Sequence, residues 1–358
     1  MKGVALFLLI VFASSAYAIN GKCRALAMSG GGDKGSYEAA VYIELVNLLS
    51  AEDIAYDVIT GVSAGSLNAC GLAAFAPEES TEASEFIFSL WNSLKGSDVF
   101  ENWKGGIIYG LLWEEGIFNN QPLVDFVNSQ IGNRVVKRKV SFGTADANNA
   151  EYAIYDYNAT QTMPTDYVMS AIASASIPFA FPHVVRGDRV LIDGGSIWNL
   201  DISSAVRRCR EIVDKDEDII IDLYLCSGSS IDEVSDVNKY SVLENYMRGR
   251  EIKSFYLNDD EIEKTKILYP KVNFRYTIVP SEKLSYSPIP LDFSKSHLDK
   301  WFAVGKKDAQ NAVKLGPGGY WNVVLDYNKR IKNGEKVVLA DMIESKVLEV
   351  TGTHSDSL

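Results

Sequence analysis

The chain is short of positive charge, of histidine and of cysteine. Across 358 residues, 35 Lys and Arg face 47 Asp and Glu, for a formal net charge of −12. A nucleic-acid binder needs a basic footprint on phosphates, so that class is excluded. Electrostatic capture by an anionic membrane is excluded on the same ground. Three histidines, His183, His297 and His354, leave few candidates for acid–base work. There is no H-E-x-x-H, no calcium loop of the D-x-[DN]-x-[DN]-G kind, no G-x-x-x-x-G-K-[ST], and no G-x-G-x-x-G with a well-placed acidic partner, so no cofactor or metal is expected. Four cysteines are too few for a disulfide scaffold. Internal repeats, low-complexity tracts and Pro/Gly/Ser linkers are also missing, which points to one continuous domain over residues 19–345, followed by a polar C-terminal tail at 346–358. With 47% hydrophobic and 23% charged residues, the composition is that of an ordinary globular protein, not a disordered or coiled-coil one.

The first segment is an address. Met1–Ala18 (MKGVALFLLIVFASSAYA) carries Lys2, an apolar run from Val4 to Ala13, and an A-x-A cleavage pattern at Ala16-Tyr17-Ala18. It reads as a secretory signal peptide, and the run is too short for a membrane anchor. The predicted location is the secretory pathway, with the protein either secreted or held in a vacuolar or lysosomal lumen. No later stretch is long and apolar enough for a transmembrane helix. Cys23, Cys70, Cys209 and Cys226 remain, and three full pairings are open to them. Cys70 and Cys226 sit in apolar segments and read as buried thiols. Asn158-Ala159-Thr160 is an N-glycosylation acceptor.

Short apolar runs alternate with helical patterns. Arg24–Ser29 meets Gly30-Gly31-Gly32, and Ser36–Leu49 is helical. Tyr56–Thr60 is a strand running into Gly61, and Ala64–Phe75 is a small-residue helix. Arg189–Ile192 is a strand ending in Asp193-Gly194-Gly195, and Ile219–Cys226 reads as a central buried strand. This alternation predicts an α/β fold with a mostly parallel central sheet flanked by helices. In such sheets chemistry gathers beyond the C-terminal strand ends, where three glycine-bearing turns fall.

Gly61-Val62-Ser63-Ala64-Gly65 follows a strand and opens a helix, the context of a G-x-S-x-G nucleophile elbow. Ser29–Gly35 (SGGGDKG) frees backbone N–H groups to converge on one spot, which suits an oxyanion hole or a phosphate cradle. Lys34 either orients this loop or meets an anionic head group. Asp193, beside Gly194 and Gly195, is placed to take a proton or orient a base. A serine nucleophile needs a base. His354 lies in the polar tail. His183 or His297 would complete a Ser–His–Asp triad, and Asp193 alone would serve as a dyad partner if desolvated within reach of Ser63.

Together these motifs resemble the patatin-like phospholipases. Gly30–Gly35 is similar to that family's G-G-G-x-[KR]-G loop, Gly61–Gly65 to its elbow, and Asp193-Gly194-Gly195 to its D-G-[GA] motif. Ala173–Pro182 is similar to the proline-rich segment before it, and Gly116–Leu123 more loosely to a stretch between elbow and aspartate. The resemblance covers roughly residues 23–200. It implies Ser63 as nucleophile and Asp193 as general base, with no catalytic histidine. It also implies an oxyanion hole from the amides of Gly30, Gly31 and Gly32, with Gly61, Gly65, Lys34, Gly35 and Gly194 shaping elbow and loop. The implied activity is metal-free hydrolysis of lipid acyl esters at a membrane or micelle interface. Ser29 departs from the family, many members of which have Asp there.

Phe100–Phe118 is dense in Trp103, Ile107, Ile108, Tyr109, Leu111, Leu112 and Trp113. The expectation is an ordinary buried helix or packed turn; the alternative is a cap over an acyl-chain pocket or a patch that enters an interface. Two other functions compete with the dyad hydrolase: a His-dependent serine esterase, and a non-enzymatic storage or lipid-binding protein on the same fold.

Overall fold

The computed structural model describes residues 19–160, 162–226, 231, 234–284 and 291–352. The proposed signal peptide, His354 and the last residues lie outside that range. Among the described residues ten strands run in chain order as β1 (Cys23–Met28), β2 (Val58–Val62), β3 (Glu101–Asn102), β4 (Phe118–Asn119), β5 (Lys139–Asp146), β6 (Glu151–Tyr157), β7 (Val184–Arg186), β8 (Arg189–Asp193), β9 (Ile219–Tyr224) and β10 (Asn273–Ile278). The helices are α1 (Gly35–Leu48), α2 (Ala64–Leu72), α3 (Ser80–Ser93), α4 (Gly106–Trp113), α5 (Gln121–Ile131), α6 (Tyr167–Ser174), α7 (Ile202–Cys209), α8 (Val242–Leu268), α9 (Lys295–Leu315), α10 (Gly319–Lys332) and α11 (Leu339–Thr351).

β10, β9, β1, β2 and β5 lie side by side and parallel. Their sequences are near-continuous apolar runs because helices flank the sheet and leave them little water. α2 and α7 both pack over β1 and β2, and α6 packs over β5 and β8. Asp222 interrupts the run in β9 and is fully buried. Arg275 of β10 reaches it at 2.5 Å and the Tyr56 hydroxyl at 2.6 Å, so the buried charge is paired and hydrogen-bonded.

The sheet is mostly parallel, as expected, and turns mixed beyond β5. β6 pairs antiparallel with β5 along Val140–Asp146 and so occupies one edge. The other edge is shared. β2 runs parallel along it, its last partner pair being Val62 with Gly143. β8 comes from the opposite direction, and its Asp193 pairs with Thr144. The C-terminal ends of β2 and β8 therefore meet head-on at consecutive residues of β5, about 3.4 Å apart along the strand.

Two expectations change. α4 is not buried: its large side chains stand in solvent and only Gly110 is enclosed. The polar tail also begins later than residue 346, because α11 continues to Thr351 with Ile343 and Val347, four apart, buried on one face. Cys23 and Cys209 form a disulfide that ties the start of β1 to the end of α7, and Cys70 and Cys226 are buried free thiols. The bridge closes a sequence separation of 186 residues, so its loss mainly frees the unfolded chain. The double variant Cys23→Ser/Cys209→Ser should lose about 2–5 kcal/mol in denaturant unfolding. An unfolding midpoint equal to wild type would contradict this.

Candidate active site

The elbow between β2 and α2 is built by close approach. A Cβ on Gly61 would lie 2.3 Å from the Gly65 carbonyl oxygen, and one on Gly65 would lie 2.5 Å from that of Met28. Neither position tolerates a side chain. Between them Ser63 takes φ 54° and ψ −123°, a conformation that costs a non-glycine residue about 1–3 kcal/mol. Hydrogen bonds hold it there. The Ser63 N–H donates to Ser174 Oγ (2.9 Å), Ser174 Oγ donates to the Gly143 carbonyl (2.5 Å), and the Gly65 N–H donates to the Ser29 carbonyl (3.0 Å). Ser63 is only 3% exposed.

Asp193 ends β8. Its Oδ1 accepts from the Gly195 N–H at 2.7 Å, and its own N–H donates to the Ser176 carbonyl at 2.9 Å. A Cβ on Gly194 would meet the Gly143 carbonyl oxygen at 2.3 Å and Val62 Cγ1 at 3.1 Å, so the turn after Asp193 lies directly on the end of β2.

The glycine loop closes over both. A Cβ on Gly30 would be 2.7 Å from Ser63 Cβ and 2.6 Å from Asn199 Oδ1. The Gly30 N–H donates to the Asn199 carbonyl (3.2 Å), and Asn199 Nδ2 donates back to the Gly30 carbonyl (3.0 Å). The Gly30 amide is thus committed, a difference from the expected trio. The N–H groups of Gly31, Gly32 and Ala64 make no hydrogen bond among the described residues. Beneath the loop, Ser29 is a junction. Its N–H and hydroxyl donate to Glu38 Oε1 (2.8 and 3.0 Å), and its Oγ accepts from the Cys226 N–H (3.0 Å). That junction accounts for serine at a position where Asp is frequent. Burial pushes the Glu38 carboxyl well above the usual carboxylate range, and it pushes Asp33 up to about 6. The half-buried Lys34 side chain has no hydrogen bond or ion pair among the described residues. Gly35 fits tightly, since a Cβ there would be 2.9 Å from both Ala64 Cβ and Trp91 Cζ2.

A narrow cavity of about 80 Å³ opens at Ser63 and Gly32. Its walls are almost wholly apolar, with Leu67, Leu90, Val127, Phe181 and Phe293 among them. Asn68, at the wall, accepts from Trp91 Nε1 and donates to the Gly35 carbonyl, both at 2.9 Å.

The patatin-like phospholipase family matches residues 26–206, just over half of the chain. The chain belongs to that family. A search of curated proteins finds no match. Among solved structures, VipD from Legionella pneumophila is similar with a TM-score of 0.36 and 11% identity, over 94% of this chain and 81% of VipD. Full-length ExoU from Pseudomonas aeruginosa, in complex with full-length SpcU, is similar with a TM-score of 0.30 and 12% identity, over 94% of this chain and 69% of ExoU.

In this patatin-like site His183 and His297 stand apart from the cavity. His183 faces Glu115 at 3.7 Å, and His297 pairs with Asp292 and stacks on Trp301; neither lines the cavity. Asn158 is exposed just after β6 with its Oδ1 held by Arg208 Nη2 at 2.5 Å. Sequence reasoning missed Ser174, Asn199 and Glu38 as supports. Only Ser174 had a signal, because it lies in the quoted segment before the aspartate.

Two outcomes follow from the loop's packing. A Cβ on Gly31 would lie 2.2 Å from Cys226 Sγ but 3.5 Å from Cys226 Cβ. Gly31→Ala should lower the melting temperature, and adding Cys226→Ala should recover most of the loss; a double variant no more stable than Gly31→Ala would contradict the contact. Asp33 binds its proton more tightly folded than unfolded, so the wild type loses stability as pH rises from about 4 to about 6. Unfolding curves of Asp33→Asn should gain on wild type across that window and hold the gain above it. A pH-independent difference would refute the shift.

Proposed function

We propose that this chain hydrolyses acyl esters of phospholipids or related glycerolipids through Ser63 and Asp193, with no histidine in the reaction. The observation that carries the reading is the shared edge of β5, where β2, which leads into Ser63, and β8, which ends at Asp193, stop at consecutive rungs. Both residues are buried, as a working dyad requires.

In the first step Asp193 takes the Ser63 hydroxyl proton while Oγ forms a bond to the acyl carbonyl carbon. The carbonyl electrons move onto oxygen, and the amides of Gly31 and Gly32 stabilise that oxyanion. The ester C–O bond then breaks, the leaving alkoxide takes the proton back from Asp193, and an acyl-enzyme remains. Water deacylates it with Asp193 again as base. The apolar cavity suits an acyl chain, and Lys34, without a hydrogen bond or ion pair among the described residues, suits a head-group phosphate. The chemistry of Cys23–Cys209 supports a secretory route, since disulfides persist in oxidising compartments.

Turnover of a long-chain phospholipid in mixed micelles tests this reading. Ser63→Ala should lose about a thousandfold or more in kcat and Asp193→Asn about a hundredfold or more. His183→Ala and His297→Ala should leave kcat unchanged. Full activity of Asp193→Asn, or loss on either histidine change, would replace the dyad with a His-dependent mechanism.

A further inference from the structure

We propose that α4 is the element by which the protein seats itself on an electrically neutral lipid surface, beside the mouth of the acyl cavity. The proposal rests on the acyl-hydrolase reading above and names how its substrate is met. Six of the eight residues of α4 (GIIYGLLW) are large and apolar or aromatic, and all six are 41% to 71% exposed. They spread over about 240° of the helix, far wider than one stripe, and leave the Gly110 side packed against the body. A narrow stripe suits a groove on a partner protein, whereas so broad an apolar face suits immersion in lipid. The two residues with polar tips, Tyr109 and Trp113, stack on each other at 5.7 Å. Such aromatics favour the boundary between hydrocarbon and head groups.

The helix is joined rigidly to the cavity. A Cβ on Gly110 would lie 2.6 Å from the Ile117 carbonyl oxygen, and Trp103 Nε1 donates to the Gly116 carbonyl at 2.9 Å. The N–H groups of Ile117 and Phe118 donate to the carbonyls of Phe179 and Ala180, each at 3.0 Å, and the next residue, Phe181, lines the cavity. Phe179 is 54% exposed and held at φ 77°, a strained setting for a bulky side chain. The apolar surface thus runs from α4 over Phe179 to the cavity wall.

Charge selects the kind of surface. Residues 101–115 contain Lys104 against Glu101, Glu114 and Glu115, and α4 itself carries no charge. An anionic leaflet would repel this patch, so the surface that fits is zwitterionic.

The test uses the mature chain carrying Ser63→Ala, so that binding is read without hydrolysis, and sucrose-loaded vesicles of phosphatidylcholine. Binding is expected, with a blue shift in tryptophan emission. Adding Leu112→Asp and Trp113→Asp should weaken partitioning by about tenfold or more. With Ser63 intact, the same two changes should leave hydrolysis of a soluble short-chain ester unchanged while slowing hydrolysis of vesicle lipid. Partitioning equal to that of the unaltered helix would overturn the proposal, as would preference for phosphatidylserine-rich vesicles or no binding to phosphatidylcholine. A dimer seen by light scattering that the two Asp changes split would overturn it in favour of a second copy. If the soluble ester is not hydrolysed at all, the catalytic reading fails instead, and the vesicle result stands by itself.

Discussion

Everything at the site depends on how one strand edge is divided. β6 fills one side of β5, so β2 and β8 must share the other, and they approach from opposite ends. Each stops where the other begins. The boundary falls between Gly143 and Thr144, and a larger residue at 143 has no room: a Cβ there would sit 1.8 Å from the Tyr152 hydroxyl oxygen. Gly143 also supplies the carbonyl that receives Ser174 Oγ and that presses on Gly194. One residue of β5 is therefore tied to the serine elbow through Ser174 and to the aspartate turn through direct packing. The elbow that carries Ser63 and the turn that carries Asp193 are thus joined by sheet register, which is stiff.

The glycine loop is arranged against that junction by contacts too close for side chains. Gly30 lies on Ser63, Gly31 on the Cys226 thiol, and Asn199 joins Gly30 to the turn that follows Asp193. Under it lies an unusual concentration of buried acid. Glu38 carries Ser29, and Asp33 receives the Asp292 N–H. Burial raises both carboxyls, Asp33 to about 6 and Glu38 well above the usual carboxylate range.

Much of this was legible in the sequence, for reasons that differ by element. Gly61–Gly65 and Asp193-Gly194 were readable because the demand for glycine is local: the chain must turn where another backbone already lies. β1, β2 and β9 were readable because strands buried on both faces are apolar throughout. The direction of β8 was not readable. Its residues alternate no differently whether it runs parallel or antiparallel, and its partner is fixed by the edge that β6 leaves open. The Gly30 amide looked available because its acceptor, the Asn199 carbonyl, lies 169 residues away in sequence. Four cysteines allow six single bridges, and only the meeting of β1 with α7 selects Cys23 with Cys209. The exposure of α4 was missed because apolar density argues for burial unless the surroundings are known. The end of α11 was missed because its buried positions, Ile343 and Val347, are separated by polar residues facing water.

The central claim is that Ser63 is an activated nucleophile driven by Asp193 alone. Covalent labelling of the purified protein with a fluorophosphonate, followed by peptide mapping, addresses it most directly. The account predicts one modified residue, Ser63, with labelling lost in Asp193→Asn and retained in His183→Ala and His297→Ala. A folded sample in which Ser63 stays unmodified, or in which labelling survives Asp193→Asn, would contradict it.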